Sequence, residues 1–297
     1  MPRTFTAQLP VRFYECDAYG HVNNSNYARY MQESAFAASA DAGYADEEYQ
    51  HLGLLWLIRD TEIEYLSPLR YGDTAEVTTW VEDFRRVRSR RRYEVRRAGD
   101  EQLLARGVTD WVLLDRSKHS PVSVPEEMQL AFFPEGAPEH ASKRERFPKP
   151  PPAPSGAVTV VRQVAWEDVD PAQHVNNAKY LTYMEESGIQ AAAQFGFSMH
   201  DYLALGLGSV SRLSRIEYKQ PAVLGDTLEI TTYLSDPRPV RATRHFIFRR
   251  QSDQALIAQG FVVWVFIDLH TGRPARMPKE LMNQFSSHIA AHEETKT

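Results

Sequence analysis

Two short stretches of this chain, residues 16–34 and 169–187, bring together polar side chains that hydrolytic chemistry uses. Each contains an aspartate, a histidine and two adjacent asparagines at the same spacing, namely Asp17, His21, Asn23 and Asn24, and then Asp170, His174, Asn176 and Asn177. An aspartate is ionised at neutral pH, so it can act as a nucleophile or general base without further activation. Both stretches precede a helix-like pattern, and free backbone amides at a helix start can hold a developing negative charge. The residue types therefore suit attack on a carbonyl group, with an oxyanion site near Asn24 and Asn177.

A simpler interpretation exists for each of these residues. Aspartate and asparagine are favoured helix N-caps, and taken alone either residue is better explained by capping than by catalysis. The two histidines act directly on the reaction or form a structural hydrogen bond with the turn, and the sequence does not separate these roles. For the asparagine side chains, holding the turn is favoured over touching substrate. The whole constellation, kept in both stretches, exceeds what capping requires and favours catalysis by at least one aspartate.

The two stretches belong to a longer internal repeat. A shift of 153 positions gives ten identities in the eighteen positions from Asp17 to Ser34. The same shift, without a gap, aligns IEYLSPLRYGDT (63–74) with IEYKQPAVLGDT (216–227) and places Trp111 on Trp264. A repeat this long indicates two copies of one domain rather than a solenoid.

Composition is that of an ordinary globular protein. Of its residues, 42% are hydrophobic and 25% are charged. The length of 297 residues is enough for two domains that each have their own core. The formal charge of -5 gives no general attraction to nucleic acid, and the single cysteine excludes an internal disulfide. Without a signal-type or membrane-length apolar run, we expect a cytoplasmic protein with no membrane partner.

A proline-rich stretch separates the two copies. We predict an N-terminal domain at 1–133, a linker at 134–157 and a C-terminal domain at 158–297. The linker is dense in proline and charge and shows no hydrophobic period, which is typical of an extended, semi-rigid connector. A disordered spacer is the alternative.

Hydrophobic periodicity gives the same layout for each copy. Apolar and small residues recur at steps of three and four after each polar stretch and predict one long helix, with the stripes Tyr27, Tyr30, Met31, Ser34, Ala35, Ala38 and Tyr180, Tyr183, Met184, Ser187, Gly188, Ala191. One strand-like run precedes the helix and about four follow it, with turn residues between the last two. We predict an α+β fold in which an antiparallel sheet wraps around one long central helix.

These residues carry a resemblance to a known family. The pattern Asp-x-x-x-His-Val-Asn-Asn-x-x-Tyr at a strand-to-helix turn, followed by Tyr-x-x-Pro-x-x-x-Gly-Asp, resembles the hotdog-fold thioesterases of the 4-hydroxybenzoyl-CoA thioesterase type. The second copy is also similar to the acyl-carrier-protein thioesterases of plants and bacteria, which contain two hotdog domains in one chain. The resemblance implies a tandem hotdog fold and the hydrolysis of acyl thioesters in fatty acid metabolism. It assigns Asp17 and Asp170 the base or nucleophile role, and the amides near Asn24 and Asn177 the polarising role.

The chain departs from the carrier-protein enzymes at two places. Those enzymes carry an asparagine between the aspartate and the histidine, where this chain has Tyr19 and Ala172, and a Glu-Cys pair after the Glu-Tyr strand, where it has Pro68-Leu69 and Pro221-Ala222. Cys16 is no substitute, because Val169 stands at its place in the second copy and a lone cysteine beside an apolar strand is more often a small buried hydrophobe. The pattern is closer to the aspartate-only chemistry of the coenzyme A enzymes.

Further residues have candidate roles. Glu33 and Glu186 on the central helices are backup carboxylates, and Tyr30, Met31, Tyr183 and Met184 are candidate liners of an acyl pocket, although any helix core would contain such residues. We expect no metal and no cofactor, since His21, His51, His119 and His140 are scattered without metal-ligand spacing.

An arginine-rich strand is the other unusual feature. Eight arginines lie between Arg85 and Arg97. They suit the phosphates of coenzyme A or the acidic surface of acyl carrier protein, or else form a solvated face balanced by local acids.

The sequence therefore predicts a thioesterase acting on acyl-CoA or acyl carrier protein, with the two copies paired as an internal pseudo-dimer and further homodimerisation left open. A hotdog dehydratase or hydratase and a non-hydrolytic thioester-sensing module are the alternatives.

Overall fold

A computed structural model of the chain describes residues 1–136, 138 and 142–291, with the side chains of Glu280 and Leu281 left aside. The chain divides into two compact units, Met1–Arg146 and Phe147–Thr297, and the division falls inside the predicted linker. His140 lies outside the described residues.

The first unit contains one long helix and five strands. Its strands are β1 (Thr4–Pro10), β2 (Leu54–Tyr65), β3 (Thr74–Arg85), β4 (Arg88–Arg97) and β5 (Leu103–Asp115), and its helices are α1 (Asn24–Asp41), α2 (Asp46–His51) and α3 (Glu126–Phe132). Within the unit the strands lie in the order β1-β3-β4-β5-β2, and every neighbouring pair is antiparallel. Helix α1 packs against β1 and β3.

The second unit repeats this arrangement. Its strands are β6 (Val158–Gln163), β7 (Leu207–Tyr218), β8 (Thr227–Arg238), β9 (Arg241–Arg250) and β10 (Leu256–Asp268), and its helices are α4 (Asn177–Gln194), α5 (Met199–Ala204) and α6 (Lys279–Gln284). The strand order is β6-β8-β9-β10-β7, again with antiparallel neighbours. The predicted α+β tandem hotdog fold is confirmed.

A methionine on each central helix sits directly over a glycine of the sheet. A Cβ added at Gly107 of β5 would lie 2.5 Å from the Cε atom of Met31, and one added at Gly260 of β10 would lie 3.0 Å from the same atom of Met184. With the two methionine side chains in these positions only glycine leaves room, because carbon atoms in contact normally stay about 3.5–4.0 Å apart, and a larger residue would require the methionine to move. The same methionine–glycine contact therefore occurs in both copies.

The segment that follows residue 141 binds to the outer face of the first sheet. Asp83 of β3 is 1% exposed and accepts hydrogen bonds from the backbone amide (2.8 Å) and hydroxyl (2.7 Å) of Ser142. Arg144 forms ion pairs with Asp83 and with Asp110, the latter at 3.1 Å. Buried charges therefore hold the chain to the sheet at Ser142 and Arg144.

The linker residues from Phe147 onward belong to the second unit and pack within it. Phe147 packs against the ring of Phe261, and the carbonyl of Pro151 accepts a hydrogen bond of 2.5 Å from the hydroxyl of Tyr233. Within the described residues, no helix is long and apolar enough to cross a bilayer.

Candidate active site

The polar motif of the first copy forms a tight turn between a 3₁₀ turn (Phe13–Glu15) and the start of α1. The amide of Asp17 donates to the carbonyl of His21 at 2.7 Å, and the amide of Gly20 donates back to the carbonyl of Asp17 at 2.9 Å. Gly20 has a φ of +73°, a backbone conformation that glycine adopts without strain. The second copy forms the same turn with Gln173 at a φ of 65°.

The carboxylate of Asp17 holds this turn with one of its oxygens. Oδ1 accepts hydrogen bonds from the backbone amides of Tyr19 (2.9 Å) and His21 (3.1 Å). Both of these backbone hydrogen bonds go to Oδ1 rather than to Oδ2. The side chain is partly exposed. One oxygen therefore orients the carboxylate and the other remains available to a water molecule or a substrate.

The carboxylate of Asp170 is bonded through both oxygens. Oδ1 accepts from the amide of Ala172 at 2.9 Å, and Oδ2 accepts from the side-chain nitrogen of Asn176 at 3.2 Å. The Nδ1 atom of His174 lies 4.0 Å from Oδ1. The second aspartate is thus tied more closely to its own motif than the first.

The asparagines mark the two helix starts. Asn23 is the N-cap of α1 and accepts from the amide of Ser25 at 3.0 Å, and Asn176 caps α4 by accepting from the amide of Ala178 at 3.0 Å. Asn24 and Asn177 are the first helical residues, so their amides belong to the first turn, which has no intrahelical acceptor. The capping interpretation holds for Asn23 and Asn176, and amides suited to polarising a carbonyl lie beside them.

The histidine of the first copy is held neutral. Burial lowers the pKa of His21 below its ordinary value, the positive charge of Arg70 lowers it further, and Asp17 opposes the shift. The backbones of Arg70 and His21 also pair in an isolated antiparallel β-bridge. A neutral imidazole next to the turn can accept or pass a proton at physiological pH.

The exposed side chains around the two polar turns, here called their rims, differ between the copies. In the first copy Phe13 and Tyr71 are exposed and meet edge to face at 5.6 Å, with Arg70 beside them. The corresponding residues of the second copy are Trp166, Leu224 and Val223, so the cation is missing there. The first rim is therefore aromatic and positively charged, and the second is apolar.

Each motif also rests on a buried carboxylate that the sequence analysis missed. Glu15 is 8% exposed and accepts a hydrogen bond of 2.7 Å from the hydroxyl of Tyr30. Its counterpart Asp168 is fully buried, with Lys179 Nζ 3.1 Å away and the amide of Ala165 at 2.9 Å. Acids at the same offset before both motifs were the available signal. The same two residues also hold the turn through their backbone, because their carbonyl oxygens accept hydrogen bonds of 2.9 Å from the amides of Asn23 and Asn176.

The structure places the remaining predicted residues as follows. Glu33 and Glu186 are exposed on their helices, and the four proposed acyl-pocket residues are buried, with exposures of 4% for Tyr30, 1% for Met31, 0% for Tyr183 and 1% for Met184. Burial raises the pKa of both tyrosine hydroxyls, and the acid beside each hydroxyl adds to the increase. Lining of an acyl pocket by these four residues stays a prediction.

The arginine-rich strand is largely balanced by acids on the same sheet. Arg90 pairs with Asp110 through two hydrogen bonds of 3.0 and 2.8 Å, and Arg92 pairs with Glu82 in the same manner at 3.0 and 2.9 Å. Further pairs are Arg96 with Glu94 and Arg97 with Asp73. This supports the interpretation of a sheet surface balanced by local acids. Within the described ranges no group of three or more His, Cys, Asp or Glu side chains has metal-binding geometry.

Comparison with known proteins agrees with the repeat. A family model described as the thioesterase-like superfamily matches twice, at residues 11–132 and 164–285. A palmitoyl-acyl carrier protein thioesterase of Gossypium hirsutum is 24% identical over 274 residues, which are 88% of this chain and 63% of that protein. A shorter relative, the inferred acyl-CoA thioesterase YneP of Bacillus subtilis, is 29% identical over 115 residues, which are 39% of this chain and 83% of that protein.

Solved structures share the fold over nearly the whole chain. The 12:0-ACP thioesterase of Umbellularia californica superposes with a TM-score of 0.69 at 18% identity, covering 88% of this chain and 96% of that one. An acyl-ACP thioesterase of Bacteroides thetaiotaomicron gives a TM-score of 0.69 at 14% identity, covering 88% and 97%. This chain spans only 47% and 63% of the length of two plant relatives from Cuphea viscosissima and Gossypium hirsutum. With both of its domains matched by one family model, the chain belongs to the thioesterase-like superfamily.

Proposed function

We propose that the chain hydrolyses acyl thioesters of coenzyme A or acyl carrier protein to a free acid and a thiol. The observation that carries this proposal is the carboxylate of Asp17, fixed through one oxygen at a helix start whose first-turn amides include that of Asn24. Hydrolysis of a thioester needs a base or nucleophile and donors for the carbonyl oxygen, and this turn offers both in a few residues. The names of the relatives point to the same class of reaction.

The proposed reaction begins with the substrate carbonyl oxygen at the start of α1 and ends with release of the thiol. Asp17 either takes a proton from water as the water attacks the carbonyl carbon, or attacks that carbon itself to give an anhydride that water then cleaves. The amide of Asn24 donates to the oxyanion in either route, and the sulfur leaves as a thiolate. In the first route Asp17 passes the proton taken from water to the thiolate, directly or through the imidazole of His21. In the second route the water that cleaves the anhydride supplies this proton, and Asp17 is released as a carboxylate.

Of the two motifs, the first is the better candidate for the working site. Oδ2 of Asp170 is already bonded to Asn176, whereas both backbone hydrogen bonds that Asp17 accepts go to Oδ1. The positively charged rim at Arg70 also suits the phosphate groups that both carriers contain. We therefore assign the main activity to Asp17 and a minor or absent one to Asp170.

Glu33 and Glu186 remain the backup carboxylates, although their exposure on the helix surface supports them less than Asp17. A cytoplasmic location and pairing of the two domains as a pseudo-dimer also stay predictions.

The proposal is tested by incubating the purified protein with a panel of acyl-CoA and acyl-carrier-protein substrates and measuring thiol release. Free thiol with at least one substrate supports hydrolysis. Hydration of crotonyl-CoA without thiol release would instead indicate the dehydratase or hydratase alternative. Tight binding of an acyl thioester that stays intact would indicate a sensing module.

A further inference from the structure

One arginine of the first unit is buried on the face of the sheet that packs against the helix. Arg91 of β4 is 6% exposed, and its backbone lies opposite Val81 of β3 and Thr109 of β5, both of which are buried. The neighbouring arginines Arg90 and Arg92 point the other way and pair with acids. Arg91 is therefore a cation inside the core of the unit.

The guanidinium of Arg91 has little compensation for this burial. Its Nη1 donates one long hydrogen bond of 3.4 Å to the hydroxyl of Thr79, and its Cζ lies 5.5 Å from the centre of the Phe132 ring. Within the part of the chain that the structure describes, no carboxylate comes within ion-pair distance of it. Burial lowers the pKa of Arg91, and the neighbouring phenol groups of Tyr93 and Tyr49 oppose the shift. A buried cation without an anionic partner is destabilising, and apolar residues of similar size often serve better at such a position.

The second copy has the same arginine with a partner supplied. Arg244 is also 6% exposed and donates to Thr232 at 3.4 Å, but its Nη1 lies 2.9 Å from the Nε2 atom of His288. Nδ1 of His288 bonds the carbonyl of Gly156 at 2.9 Å, so this nitrogen carries the proton and Nε2 is the acceptor. The residue that corresponds to His288 in the first copy is Glu135, which lies at the surface and pairs with the N-terminus at 2.6 Å. In the described part of the chain, Arg91 therefore lacks the side-chain acceptor that His288 provides to Arg244.

The surroundings of Arg91 are aromatic. Phe132 and Phe84 belong to the same cluster as the partly buried side chains of Tyr44, Tyr49 and Trp56. A hydrated inorganic anion would gain nothing from these rings, whereas a ligand with an apolar body would bury that body against them. A carboxylate is planar and accepts two parallel hydrogen bonds from a guanidinium.

We propose that Arg91 binds the carboxylate of an organic acid with an apolar body, at a site distinct from the Asp17 turn. Two sources provide this chemistry. One is a free acid, such as the product of hydrolysis, and the other is a carboxylate at the far end of an acyl chain that enters as a thioester. The second source rests on the proposed function, and the first does not.

Binding of defined probes to the full chain tests the site. Dodecanoate, dodecanedioate, dodecanol and sodium chloride are titrated by calorimetry into the wild type and into Arg91→Met, Arg91→Lys and Arg244→Met. We expect Arg91→Met to weaken binding of one or both acids by about tenfold or more, since a charge-assisted hydrogen bond is lost. Lysine should retain part of the affinity, Arg244→Met should match the wild type, and dodecanol should not distinguish the proteins.

Several results would overturn the inference. These are unchanged binding of both acids by Arg91→Met, equal losses in Arg91→Met and Arg244→Met, and chloride binding as tight as that of the acids. Melting temperatures verify that each variant is folded, and if Arg91→Met fails to fold, Arg91→Gln takes its place in the comparison.

Kinetics separate the two sources. If the carboxylate belongs to the substrate, Arg91→Met raises KM for a thioester with a terminal carboxylate about tenfold and leaves KM for the plain acyl thioester unchanged. If it belongs to a free acid, neither KM changes, and inhibition by added dodecanoate is lost. Failure of thioester hydrolysis would leave the calorimetric test intact, and failure of the calorimetric test would leave hydrolysis intact, so the two proposals fail separately.

Discussion

The contact between Met31 and Gly107 gives a sharp prediction about how the central helix sits on the sheet. In Gly107→Ala the new methyl carbon would lie 2.5 Å from Cε and 2.6 Å from Sδ of Met31. Met31 is 1% exposed and has little room to withdraw. Overpacking of this kind costs about 1–3 kcal/mol, so we expect the free energy of unfolding in urea to fall by about 2 kcal/mol.

A double-mutant cycle shows whether Met31 is the cause. Met31→Ala alone leaves a cavity and should cost about 2–5 kcal/mol. In the double variant the methyl group added by Gly107→Ala occupies part of that cavity, so the two effects should not add, and we expect a favourable coupling of about 1 kcal/mol or more.

Gly260 provides the matched control. Its added Cβ would lie 3.0 Å from Met184 but also 3.1 Å from the backbone carbonyl oxygen of Arg215, which no side-chain movement can relieve. Met184→Ala should therefore rescue Gly260→Ala less than Met31→Ala rescues Gly107→Ala. Unchanged stability of Gly107→Ala would refute the reasoning and would favour Met31 as a mobile liner of an acyl pocket.

Three further predictions concern charges and caps. Arg70→Gln should raise the pKa of His21, because a positive charge that opposes protonation is removed, and NMR titration of the imidazole resonances measures this; a pKa unchanged or lowered would contradict it. Asp83→Ala should lower the free energy of unfolding in urea by about 3 kcal/mol and expose the peptide bond after Arg144 to trypsin, because the linker loses its buried ion-pair partner. A variant that resists trypsin as well as the wild type does would contradict this role of Asp83. Asn176→Ala should lower the free energy of unfolding by about 1 kcal/mol through loss of the α4 cap, and a melting curve that overlays the wild type would exclude the cap.

Much of the fold could be predicted from the sequence because the two copies can be aligned with each other. Aligned copies showed which positions share a role, and the polar residues before each helix-like stripe located the helix starts at Asn24 and Asn177. The four short helices α2, α3, α5 and α6 were missed, since six or seven residues are too few to establish a helical period.

The side-chain partners were harder to predict. Alternation along β4 indicates that some arginines face solvent, but the acids that pair with Arg90 and Arg92 lie on other strands, at Asp110 and Glu82. Arg91 faces inward, and only the packed structure shows that its place lacks the histidine that accompanies Arg244. Local pattern does not determine such contacts, because they depend on strand register between distant segments.

Comparison of Asp17→Asn with Asp170→Asn is the most direct test of the central claim. The measured quantity is kcat/KM for thiol release with the best substrate of the panel, and melting temperatures verify that both variants are folded. We expect a loss of at least about a hundredfold in Asp17→Asn, since a positioned base contributes about that much, and a small change in Asp170→Asn. Full activity in a folded Asp17→Asn would contradict the account and would direct attention to Glu33.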